Sequence, residues 1–124
     1  MIKPRWLDLI LSKQKTWEMR GTGTSKRGLV HLAVSGGGGL ILGSASSVDC
    51  LPAKREELGR HIDKHCIPDE ELKMFYSDGK ESGKKQKIYA WVLKAACRYK
   101  EPLQYKHTKG AIVWARPHKW FVGR

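Results

Sequence analysis

The sequence predicts a small α+β or β-barrel domain of about five strands, with a few short helices at the ends. Three observations carry that reading. Apolar runs of β-type composition recur through the chain, separated by Gly, Pro and polar residues. Helical spacing appears only in short pieces. Strands and helices do not alternate regularly, which argues against a doubly wound parallel sheet.

The elements follow in order. Pro4 suits the first turn of a helix, where its missing N–H costs nothing. Trp6, Leu7, Ile10 and Leu11 then repeat at helical spacing, and the helix ends near Ser12 or Lys13. Residues 15–20 (KTWEMR) change to strand alternation, with Trp17 and Met19 on one face and Thr16, Glu18 and Arg20 on the other. A loop of Gly, Thr, Ser and basic residues leads to a second strand at 29–34 and, past a glycine run, a third at 40–50 with a bend at Gly43. Leu51-Pro52 is expected to break the sheet. Residues 54–65 read as a helix with Leu58, His61 and Ile62 on its apolar side, and 70–76 as another. The stretch 77–87 is polar and basic and reads as an exposed loop. Residues 88–99 (IYAWVLKAACRY) form the clearest strand, Pro102 starts a turn, and 111–115 (AIVWA) is a last strand before a basic, aromatic tail at 116–124. With no repeat and no long linker, residues 1–124 are expected to form one domain.

Charge narrows the partners. Lys and Arg total 24 against 12 acidic residues, a net charge of +12. Such a surplus costs self-repulsion, and its commonest use in a small domain is to neutralise phosphates. No run reaches the ~20 apolar residues of a membrane span, and the N-terminus lacks a secretory signal, so a cytoplasmic protein without membrane contact is expected. Cys50, Cys66 and Cys97 form no Cys-x-x-Cys pair and read as reduced thiols.

The segments W-L-D-L-I-L-S, K-T-W-E-M-R, I-L-G-S-A-S-S-V-D-C, H-I-D-K-H, Y-A-W-V-L and K-G-A-I-V-W occur in that order. Together they resemble the ASCH domain family, over nearly the whole chain. The resemblance implies an α+β, PUA-like mixed β-barrel of about five to six strands flanked by short helices, a cleft between the first helix and the strand carrying residues 15–20, and ligands that are RNA or modified nucleotides. Activities it implies are RNA cleavage or deacylation of a modified cytidine. The chain departs from the family twice. Lys13-Gln14 stands where members place a glycine at the helix end, a position that needs a left-handed residue. Glu18 stands where the deacylating branch has its nucleophilic threonine, which removes the hydroxyl that chemistry needs.

The polar face of the first strand is the leading site. Clustering Lys15, Thr16, Glu18 and Arg20 inside an apolar core is costly, so this strand should line a cleft. Glu18 can accept from a base amino group and Arg20 can donate to phosphate or base. The competing reading is a structural ion pair of Glu18 with Arg20 or Lys15. Lys15 shares the pocket only if it belongs to the turn rather than the strand. Lys3, Arg5 and Trp6 precede the site, and Trp6 can stack a base or sit in the core. Lys26, Arg27, Lys64, Tyr105, His107, Lys109, Arg116 and Lys119 complete the expected nucleic-acid contacts. His61 and His65 share a helix face, but no Cys pair brackets them, so neither a metal nor a cofactor is expected. His65 remains a candidate proton shuttle. The glycines at 36–39 lack the Lys-Ser/Thr of a phosphate loop and read as a hairpin connection.

The leading expectation is a nucleic-acid-binding module, RNA ahead of DNA, with a monomer as the default. The alternative is a metal-independent ribonuclease using Lys15, Glu18, Arg20 and His65 as its catalytic residues. Amidohydrolysis of a modified cytidine ranks third.

Overall fold

A computed structural model describes residues 1–36, 39–76 and 86–104. Helix α1 spans Pro4–Leu11, with Pro4 in its first turn and Leu7, Ile10 and Leu11 buried. The left-handed position that ends the helix is taken by Lys13, at φ 70°. This turn lets the amides of both Gln14 and Lys15 donate to the Leu9 carbonyl, each at 3.0 Å, and satisfies the helix end. Strand β1 then runs only over Trp17–Arg20. Lys15 therefore belongs to the turn and is released from strand alternation.

Strands β2 (Gly28–Ala33), β3 (Leu40–Ala53) and β4 (Ile88–Gln104) complete a four-stranded antiparallel sheet in the order β1-β4-β3-β2. Between β3 and β4 lie a 3₁₀ helix at Arg55–His61, α2 at Ile62–His65 and α3 at Asp69–Phe75. The described residues thus form an open sheet rather than a closed barrel of five to six strands. The strand expected at 111–115 lies outside them, as do most of the loop expected at 77–87 and the basic tail. No helix among the described residues is long and apolar enough to cross a membrane.

Both predicted sheet breaks fail. Pro52 stays in β3, opposite Tyr89. β2 accompanies β3 only as far as Ser47, so beyond it β3 pairs, among the described residues, with β4 on one side alone, and a residue without an N–H is tolerated there. Pro102 stays in β4. Between the pairs Gly43↔Arg98 and Ile41↔Leu103, β4 runs through more residues than β3, and this bulge absorbs it. The segment 54–65 is mostly 3₁₀ rather than α, and Ile62, expected on the apolar side, is exposed.

Two apolar clusters hold the fold. One packs α1 against the sheet through Leu7, Ile10, Val30, Leu32 and Leu93. The other gathers Met19, Leu58, Ile67, Leu72 and Ile88 beneath the 3₁₀ helix and α3. Trp6 packs on both clusters. At the chain start, Ile2 bonds the backbone at Ala33 and Ser35, while the Met1 carbonyl accepts from Arg20 of β1. The first two residues therefore tie the end of one edge strand to the other.

Candidate functional site

A cavity of about 260 Å³ opens where the two clusters meet, lined by Lys3, Trp6, Lys15, Glu18, Arg20 and Tyr76 among others. Glu18 is only 5% exposed. Its Oε2 accepts both Nε (3.1 Å) and Nη2 (2.6 Å) of Arg20. Oε1 has no hydrogen-bond partner among the described residues. A buried carboxylate oxygen left unmatched is costly unless a donor arrives from outside.

Lys15 is 2% exposed. Its Nζ donates to the His65 carbonyl and lies 4.9 Å from the centre of the Trp6 ring. An ammonium has three donors, so two have no hydrogen-bond partner among the described residues. Burial pulls its pKa from 10.5 down to about 8; Glu18 opposes that shift, and Arg20 and Arg5 reinforce it. Tyr76, half-buried at the end of α3, is pushed up, first by burial and then by the Glu18 charge.

No family model matches the sequence, and no curated protein matches it. Solved structures do resemble it. The crystal structure of ASCH from Zymomonas mobilis superposes with a TM-score of 0.68 at 14% identity, over 83% of this chain and 69% of that one. A tyrosine-to-phenylalanine mutant of that protein gives 0.68 at 13% identity, over 83% and 71%. A serine-to-alanine mutant gives 0.67 at 13% identity, over 83% and 70%. The chain has the ASCH fold. At this identity the likeness speaks for the fold alone.

Within this ASCH fold the predicted site residues divide. Lys3, Trp6, Lys15, Glu18 and Arg20 line one cavity. Trp6 joins the two cores and also walls the cavity. Glu18 makes the expected ion pair with Arg20 and also lines the cavity. Arg5 is turned away, in a two-point ion pair with Glu71 (2.7 and 2.9 Å) and 3.9 Å over the Trp6 ring. Thr16 does not line the cavity; its backbone bonds Lys64 and Leu93. Lys64 lies 5.2 Å over Trp17, Arg27 faces Asp49 at 3.7 Å, and the Lys26 carbonyl accepts from Ser47. Tyr105, His107, Lys109, Arg116 and Lys119 lie outside the described residues.

The proton-shuttle reading of His65 is corrected. Its ring is wholly buried. Nε2 lies 2.6 Å from the Leu58 carbonyl, and Nδ1 accepts the Ile67 amide at 2.9 Å. A carbonyl only accepts and an amide only donates, so the proton sits on Nε2 and both nitrogens are engaged. Burial, the largest influence, lowers its pKa and keeps it neutral. His65 is a post whose backbone carbonyl holds Lys15.

Sequence reasoning missed Tyr76 and Ser35, which also line the cavity. Tyr76 carried a signal, as an amphipathic side chain ending a short helical pattern. Ser35 carried none beyond its place before the glycines.

Proposed function

We propose that the cavity receives one unstacked base of a single-stranded nucleic acid, with RNA the favoured strand. The observation that carries this is that Glu18, with its unmatched Oε1, and Lys15, with its spare donors, line one cavity. A base edge that places an amino group next to a carbonyl or ring nitrogen satisfies both. Trp6 and Tyr76 offer aromatic surface for the ring. Lys3 and Arg20 put positive charge where the backbone phosphates would pass, and the net charge of +12 supports binding along the strand. RNA is favoured because unpaired bases in loops and ends are its usual recognition elements.

The test is fluorescence anisotropy with a labelled single-stranded RNA. The affinity is expected to fall with salt on a log–log line of about −0.7 per neutralised phosphate. Glu18→Gln keeps the shape but removes the charged acceptor, and should cost about tenfold or more in affinity. Affinity that is flat with salt and untouched by Glu18→Gln overturns the reading.

A second reading, metal-independent cleavage of the bound strand, is favoured by one feature: a buried lysine whose pKa has fallen to about 8 sits in the same cavity. Lys15 or Arg20 would hold charge on the phosphate, and Glu18 would move protons. RNA fragments that persist in chelator and vanish in Lys15→Ala mark a nuclease; a stable complex with intact RNA marks a binder.

A further inference from the structure

We propose that Lys15 captures an aldehyde carried on a phosphate-bearing ligand, forming an imine at its Nζ. The proposal rests on the cavity being a site for phosphate-bearing ligands.

An amine attacks a carbonyl only when unprotonated, and lysine in water is almost wholly protonated at neutral pH. Lys15 differs in its surroundings. It is nearly sealed from solvent, it makes no ion pair, and one backbone carbonyl is its single hydrogen-bond partner among the described residues. Burial is the largest influence against its charged form; Glu18 and Cys66 favour the proton, and Arg20 and Arg5 add smaller influences against it. When Lys15 is neutral, the His65 carbonyl occupies one N–H, and the rest of the nitrogen is free for the cavity that Lys15 lines. Burial that strips water from the ammonium is a recognised way to activate a lysine towards carbonyls.

Glu18 supplies what the reaction also needs. Glu18 lines the same cavity, and its unmatched Oε1 is the atom available to carry a proton between nitrogen and oxygen. The Nζ lone pair attacks the carbonyl carbon, and the C–N bond forms as the π pair moves to oxygen. Both protons of the neutral amine leave with that oxygen as water, one of them by way of Glu18 Oε1, and the C=N bond forms. Amine and aldehyde give imine and water, with no oxidant or reductant. Lys3 and Arg20 provide the charge that draws the phosphate. Two sources share this chemistry: the ring-opened sugar of an abasic position in a nucleic-acid strand, and a free phosphorylated sugar aldehyde.

The experiment traps the imine with borohydride. The full chain is incubated with a single-stranded oligonucleotide carrying one abasic position, with the same oligonucleotide intact, and with deoxyribose 5-phosphate. Adducts are then located by peptide mass mapping. The expected result is an adduct on Lys15 of the unmodified chain with an aldehydic probe and none with the intact strand. It drops to background in Lys15→Arg and forms more slowly in Glu18→Gln. Trapping of the abasic strand ahead of the free sugar identifies the nucleic acid as the source, and the reverse identifies a small phosphorylated aldehyde. No adduct, or adducts on Met1 and surface lysines that persist in Lys15→Arg, overturns the proposal. The map of the unmodified chain decides this even if a variant folds poorly. RNA binding without trapping overturns the imine and leaves the binding reading standing. Trapping of the free aldehyde without RNA binding does the opposite.

Discussion

Lys15 shows what the site costs. Its pKa falls to about 8 in the folded chain against 10.5 in an exposed lysine. Between those values the unfolded chain holds the extra proton, so folding stability rises with pH across that window and is penalised below it. The penalty at neutral pH is about 3 kcal/mol, a large share of a small domain's stability. Lys15→Met should therefore remove a pH dependence. Relative to this variant, the unmodified chain should gain about 2–3 kcal/mol between about pH 7 and pH 10, read by urea unfolding at each pH. An unchanged difference would mean that Lys15 is not buried as a cation. A group kept at such a cost is a good candidate for function, because polar groups sealed away from water rarely persist without a task.

At the scale of elements, the turn between α1 and β1 builds the site. A left-handed Lys13 reverses the chain so that Lys15 enters the cavity from the turn. A side chain in that region is strained by roughly 1–2 kcal/mol, part of which glycine recovers. Lys13→Gly should raise the melting temperature by a few degrees. Gly43 is the opposite case. A Cβ there would collide with the Cys97 carbonyl oxygen and with Leu11 of α1. Neither can retreat cheaply, since one is backbone and the other core, so Gly43→Ala should lower the melting temperature clearly. A pair of glycine exchanges with opposite signs, measured by circular dichroism, tests both contacts. Equal or inverted signs would refute this picture of α1 seated on the β3–β4 bulge.

Across the whole molecule, charge acts twice and in opposite directions. A net charge of +12 repels itself in the compact state, and salt screens that repulsion. Raising ionic strength from about 0.01 to 0.15 M should raise the melting temperature of the free protein while weakening the RNA binding we propose. A melting temperature that falls with salt would show that local ion pairs, such as Arg5–Glu71 and Arg98–Asp8, outweigh the global surplus. The fold reconciles that surplus with a pocket: the charge is spread over the chain, while Glu18 and Lys15 line a cavity where two small cores meet.

What the sequence determined alone was local. Apolar spacing marked α1, and alternation placed Glu18 and Arg20 on one face of β1, because both patterns depend on neighbours a few residues apart. Tertiary structure alone decided which polar groups line the cavity. His65 is used up by partners at Leu58 and Ile67. Arg5 is drawn off by Glu71 of α3. Tyr76 arrives because α3 folds back over the second cluster. Periodicity says which way a side chain points within its own element. Whether a backbone carbonyl, an opposite charge or an open cavity waits there depends on elements far along the chain, and that choice fixed the site.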